Sequence, residues 1–461
     1  MLVIISDLHL TDGTSGEIIS DSAFRLFRNR LSDMAYDASW RCDENGIISY
    51  QPVEEISIIL LGDILDMIRS EKWNTALEKI MPWTKPREDE FFSVVENIVT
   101  GILKFNATSF AILRGLSREG DLKIPGSMKL AGDEKQAREK ITYEAGESIP
   151  VKVNIYYMIG NHDWFFNIAD PRMINIRKQV IDALGLANAY DAPFPYHRDD
   201  CDAVKAVQDA HNVFAEHGDM YDPTNFQTPN RDASSVGDVV VIKLLNKIPG
   251  RIGEYLYKYS AGAPEEIEKF VKKLREIDNL RPYALAAAWI AQVIKETNLP
   301  GDVINKAINL TLKELITEFT NNELVSKKEL LRINMLLVRL IFVWNLHISV
   351  LGNLINHTPF SKDKLQSYRK FAISMARNQD KDFFVMGHTH YAEIVPLSVY
   401  KKDEAIRSKI YINTGTWRTV HLQSLVGKDF VSYKTLALAG FFKENERRGR
   451  PFEFWTGSLA L

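Results

Sequence analysis

Six short apolar runs constrain this chain more than any other feature: Leu2 to Ser6, Ile56 to Leu61, Val153 to Ile159, Asn212 to Glu216, Phe383 to Met386 and Lys409 to Ile412. They are rich in Ile, Val and Phe and end in polar residues, the pattern of strands covered on both faces. Long helical stretches separate them at uneven spacing. This predicts an α/β core with large helical insertions rather than a repeat. The first insertion covers about 67–149, with Glu88 to Leu116 helical and Ser127 to Glu147 polar and exposed. The second covers about 230–380 and is nearly all helical. Ile267, Phe270, Val271, Leu274 and Ile277 share one helical face, as do Ile304, Ile308, Leu312, Leu315 and Phe319. Such amphipathic helices pack on each other as a bundle, or in part line a cleft over a site.

Composition narrows the classes. Hydrophobic residues at 45% and charged residues at 25% suit a globular chain and exclude disorder, collagen or coiled coil as the main state. Lys and Arg total 57 against 60 Asp and Glu, so bulk positive charge cannot carry nucleic-acid binding, although a local basic patch stays open. Two cysteines, Cys42 and Cys201, build neither a disulfide framework nor a thiolate cluster. Met1 leads into an apolar run too short for a secretory signal or an anchor, so the expected location is cytoplasmic. Leu340 to Ile355 is apolar but shorter than a membrane span and holds Asn345, His347 and Asn353. A buried helix is the favoured reading there, and peripheral contact with a membrane surface the alternative.

The polar residues at the strand ends point to chemistry. After the first strand comes Asp7-Leu8-His9, after the second Gly62-Asp63-Ile64-Leu65-Asp66, and after the third Gly160-Asn161-His162-Asp163. His217-Gly218-Asp219 ends the fourth, and Gly387-His388-Thr389-His390 ends the fifth. Ligands of α/β sheets bind outside the carboxyl ends of strands. Five such ends offer Asp, Asn and His, all competent metal ligands. Any one block alone is compatible with a solvated turn; five in order are not. Imidazole with carboxylate, and no thiolate, suits Mn, Fe, Co, Ni or Zn.

This ordered set resembles the calcineurin-like metallophosphoesterases over roughly residues 1–66, 150–222 and 382–420. The resemblance implies a four-layer α-β-β-α sandwich of two mixed sheets and a two-metal phosphoester hydrolase, with manganese the favoured metal. Carried over, Asp7, His9, Asp63 and His390 hold the first ion, and Asp63, Asn161, His217 and His388 the second. Asp63 bridges through its two oxygens. His217, at its strand end, is preferred to His211. His197, His347, His357 and His421 match no block. Two cations about 3.5–4 Å apart neutralise phosphoryl oxygens and acidify a bridging water, so that hydroxide attacks phosphorus in line. His162 is the expected catalytic residue, protonating the leaving oxygen. Asp163 is expected to accept its other N–H, and Asp66 to position a ligand or its loop.

The expected substrate is a small phosphoester. Asp163 stands where protein Ser/Thr phosphatases carry Glu, and Met67 where they carry Arg, which argues against a phosphoprotein substrate. The stretch from Asp66 to Ser70 with Trp73 resembles bacterial UDP-2,3-diacylglucosamine hydrolase-like enzymes, although these are shorter and end the second block in Glu. Arg69 is expected to reach a second phosphate. The leading reading is a phosphodiesterase or pyrophosphatase for a nucleotide- or lipid-linked molecule. The alternatives are a nuclease, disfavoured by the balanced charge, a phosphomonoesterase, and a non-catalytic binding protein on the same core.

Overall fold

The apolar runs are strands of two mixed sheets. In a computed structural model, which describes residues 1–16, 19–130, 143–226, 231–280, 285–320, 360–402, 405–426 and 429–460, the first sheet is built on β1 (Leu2–Ile5), β2 (Glu55–Leu61) and β3 (Lys152–Met158), all parallel. The second sheet places β4 (Val213–Ala215), β5 (Phe383–Met386), β6 (Glu393–Lys402) and β7 (Ala405–Asn413) in the order β4-β5-β7-β6, with only β6 antiparallel. The chain then returns to the first sheet through β8 (Thr419–Gln423), β9 (Phe430–Phe441) and β10 (Phe452–Ala460), β9 pairing antiparallel with β1, β8 and β10.

Strand alternation sorts the side chains. Leu2, Ile4, Ile59, Leu61 and Met158 of the first sheet share one buried cluster with Val213, Phe383, Val385 and Ile412 of the second. Val3, Ile5, Ile58, Leu60 and Ile155 point the other way, into a cluster with helices α1 (Asp21–Ala38), α2 (Asp89–Phe105), α3 (Ala107–Arg114) and α4 (Arg172–Leu184). The 67–149 segment thus supplies α2 and α3 to the main core. Its residues 143–150 are exposed, as expected, and 131–142 lie outside the described residues.

The second long segment packs largely on itself. Helices α5 (Lys247–Lys258), α6 (Pro264–Leu274), α7 (Ala286–Lys295) and α8 (Gly301–Thr320) share an apolar cluster that includes Ile267, Phe270, Leu274, Trp289, Ile304, Ile308, Leu315 and Phe319. Helix α6 stops at Leu274, so Ile277 joins this cluster from a following 3₁₀ turn. Helix α9 (Phe360–Asn378) instead covers the second sheet through Tyr368, Ala372 and Ala376. The apolar stretch Leu340 to Ile355 falls outside the described residues, as do His347 and His357. Among the described residues no helix is long and apolar enough to cross a membrane.

The helical segment is tied to the core by specific polar contacts. Gln292 pairs with the backbone of Phe430, accepting its N–H at 2.6 Å. His421 is buried 3.3 Å from Glu276, with its ring 5.5 Å from Trp289. Trp164 donates to Asp238 at 3.0 Å, and Asn246 donates to Ile68 O at 2.8 Å.

Candidate metal centre

The five motif loops meet at the carboxyl ends of β1 to β5. Asp7, His9, Asp63, His388 and His390 all adopt left-handed backbone, with φ between 48° and 65°. Each costs an L-residue roughly 1–2 kcal/mol, and such strain persists where surroundings over-determine it. Here His9 N donates to Asp63 O at 2.8 Å, Asp7 N to Gly62 O at 3.1 Å, and His388 N reaches both Asp7 carboxylate oxygens at 3.1 and 3.0 Å. The loops approach so closely that Gly160 admits no side chain. A Cβ there would overlap Asp63 Oδ1 and stand 2.7 Å from His217 Nε2.

One half of the cluster holds Asp7, His9 and His390, and the other Asp63, His217 and His388; within each, candidate ligand atoms lie within 4.8 Å of one another. Hydrogen bonds on the far side of three rings set their tautomers. His9 Nδ1 lies 2.9 Å from Asp66 Oδ2 and His217 Nδ1 2.9 Å from Leu61 O, each donating outward. His388 Nε2 lies 3.3 Å from Asp222 Oδ2. The inward nitrogens meet nitrogen and oxygen atoms of neighbouring side chains. His9 Nε2 faces His390 Nε2 at 2.9 Å, His388 Nδ1 faces Asn161 Oδ1 at 2.8 Å, and His217 Nε2 lies 3.2 Å from Asp63 Oδ2 and 3.3 Å from Asn161 Oδ1. Lone pairs repel at such distances unless a proton or a metal ion lies among them. Nitrogen and oxygen donors in this number fit two divalent transition ions.

Asp63 stands between the halves. Oδ1 accepts the His162 backbone N–H at 2.7 Å, so Oδ2 alone faces both His217, at 3.2 Å, and His9, at 3.7 Å.

The charges agree with a cation-seeking site. Burial opposes charge on every group here, yet hydrogen bonds from His390 and His9 hold Asp7 well below the usual carboxylate range. The imidazoles His217 and His162 do the same for Asp63. Burial works against charge on His217 too, but Asp63, then Asp7, raises it well above 6.5. His9 is raised by Asp66 and Asp7 against burial and the neighbouring His162.

At pH 7 the metal-free protein should therefore hold a proton on His217 that ordinary histidine, with a pKa of about 6.5, has mostly lost, and His9 should be protonated to a greater degree than ordinary histidine. The stability these protons add is full below about 6.5 and disappears as pH rises through the raised values. Manganese uptake at pH 7 is expected to release protons, and its apparent affinity to fall as pH falls. Calorimetric titration in two buffers of different ionisation enthalpy counts the protons; zero release contradicts this charge pattern.

His162 sits at the edge, its side chain 14% exposed, with Nδ1 2.7 Å from Asp66 Oδ1. Asp66 thus holds His162 with one oxygen and His9 with the other. This corrects the expected pairing of His162 with Asp163. The Asp163 carboxylate is buried and accepts from Gly160 N at 2.6 Å, Ile64 N at 2.9 Å and the Tyr157 hydroxyl at 2.6 Å. It ties the second and third loops together, and burial, then the charge of Asp63, pushes it up to about 6. Arg69 also departs from expectation. It is only 1% exposed and its guanidinium donates to Asn246 at 3.2 Å, so the structure gives it a protein partner in place of an outward, substrate-facing position.

Of the other histidines, His197 accepts from Asp199 N in a short turn, and His211 bonds Val207 O. Several supporting residues escaped the sequence reading. Arg231 donates to Gly160 O at 3.2 Å and pairs with Asp219. Ser6 Oγ lies 2.6 Å from Thr414 Oγ1 and donates to Asp7, Thr416 bonds Asp7 O at 2.7 Å, and Asn413 bonds Gly387 O at 2.8 Å. The run Asn413-Thr414-Gly415-Thr416 is a sixth polar strand end, and that was its available signal. Comparison with protein-family models and with curated proteins finds no match to this chain.

Proposed function

We propose that this protein is a two-metal phosphoester hydrolase on a four-layer α-β-β-α sandwich, acting on a small phosphodiester or pyrophosphate. The supporting observation is the convergence of imidazole nitrogens with carboxylate and amide oxygens in two clusters that share Asp63 Oδ2. The apolar cluster common to the two sheets, with helices against both outer faces, is what such a sandwich requires.

Asp7, His9, Asp63 and His390 would hold one divalent ion, and Asp63, Asn161, His217 and His388 the other. Such ions, when bound, neutralise phosphoryl oxygens and acidify water. The chain's own residues do the rest. Asp66 fixes the His9 and His162 rings through their Nδ1 atoms, so His162 can present a proton at Nε2 to a leaving oxygen. Asp163 fixes the loop that carries Asn161 and His162. Asp222 and Leu61 O orient His388 and His217.

Hydrolysis of a generic phosphodiester and a generic phosphomonoester by manganese-loaded protein tests the reading. Metal-dependent diester cleavage is the expected result. Monoester preference would make the protein a phosphatase, and turnover of neither by metal-loaded protein would count against the hydrolase.

A further inference from the structure

One buried polar group close to this centre is neither a candidate ligand nor a support for one. Tyr368, on α9, is 1% exposed, and its hydroxyl finds no hydrogen-bond partner among the described residues. Buried tyrosine hydroxyls are nearly always paired, and an exception asks for an explanation in a ligand, a water or strain. The ring explains nothing, because phenylalanine would fill the same space against Ala372, Met386 and Tyr411.

Its ring lies beside the centre. The ring centroid lies 6.0 Å from that of His388, with the planes 33° apart. Its Cε1 atom lies 3.5 Å from where a Gly218 side chain would begin. Tyr368 is therefore packed against both loops that supply His217 and His388. A phenol hydroxyl is a neutral donor near pH 7. A neutral donor adds no charge to a cation site and can bind an anion brought there. It approaches from α9, within the 230–380 insertion, not from a motif loop.

We propose that the Tyr368 hydroxyl is a substrate-contacting donor, giving its hydrogen bond to a phosphoryl oxygen held at the His217–His388 half of the centre. This rests on the hydrolase reading and deepens it. The ligand class is a phosphoryl oxyanion, and the hydroxyl serves its recognition while the loops hold the metals.

The test is Y368F in the full chain loaded with manganese, with inorganic phosphate as the probe in a calorimetric titration. A hydrogen bond to a charged oxygen corresponds to a loss of about 10-fold or more in phosphate affinity. Manganese content is expected to be unchanged, and the metal-free variant to melt no lower than wild type. Unchanged phosphate affinity would overturn the proposal. So would a lower melting temperature of the metal-free variant with unchanged phosphate affinity, which would assign the hydroxyl to a buried structural water. Wild-type protein that takes up manganese but no phosphate overturns this inference and leaves the metal centre standing. Protein that takes up no manganese overturns both.

Discussion

Asp63→Asn is expected to lower phosphodiester hydrolysis by more than about 100-fold and to weaken manganese uptake. Losing even a hydrogen-bond partner behind a metal ligand typically costs 10–100-fold, and Asp63 is the carboxylate that both halves face. Asparagine matches its shape, and its Oδ1 can still accept the His162 backbone N–H that holds the third loop. The fold should therefore survive, and the loss should report the missing charge. The removed charge is also the main force keeping His217 protonated against burial. The variant should accordingly release fewer protons per manganese bound at pH 7. Hydrolysis rates with metal analysis check the first effect, and calorimetry in two buffers the second. A variant with wild-type activity would remove Asp63 from the chemistry.

His162→Gln should separate catalysis from metal binding. A positioned acid or base contributes about 10²–10⁴-fold, so kcat is expected to fall by about 100-fold or more with manganese content unchanged. The ring lies 4.5 Å from His9 between centroids, edge to face, and its ligand atoms come close enough to His9 and Asp63 to form a metal-binding group of their own. The variant decides between these roles. If His162 were a ligand, metal content would fall along with rate. The Asp66 bond fixes Nδ1 in either role, so metal content is the deciding measurement.

The parallel strands were legible because burial on both faces writes them as unbroken apolar runs. β5 matches its expected span residue for residue, and the other runs differ by a residue or a few at their ends. β6, β8, β9 and β10 were missed. They are antiparallel and, except for the buried apolar half of β9 from Leu436 to Phe441, which the sequence reading passed over, they are partly exposed. The converging residues Asp7, His9, Asp63, Asn161, His217, His388 and His390 were legible because each ends a strand with side chains of distinctive chemistry.

The partners of those residues were harder to read. Asp163 adjoins His162 in sequence, yet Asp66 takes the imidazole, because the second and third loops close on each other in space. Arg69 stands in a motif loop, and nothing in its spacing tells an outward guanidinium from one turned inward to Asn246. Asp222, Arg231 and Tyr368 come from segments whose composition is ordinary. Their roles arise only where the β4 and β5 ends and α9 meet.

The central claim is that two divalent ions share Asp63, and counting manganese in the purified full-length chain tests it most directly. Metal-free protein titrated with manganese is expected to bind two ions per chain with a spin-coupled resonance spectrum, and Asp63→Asn to lose that coupling. Binding of no ion, or a coupled pair that persists unchanged in Asp63→Asn, would contradict it.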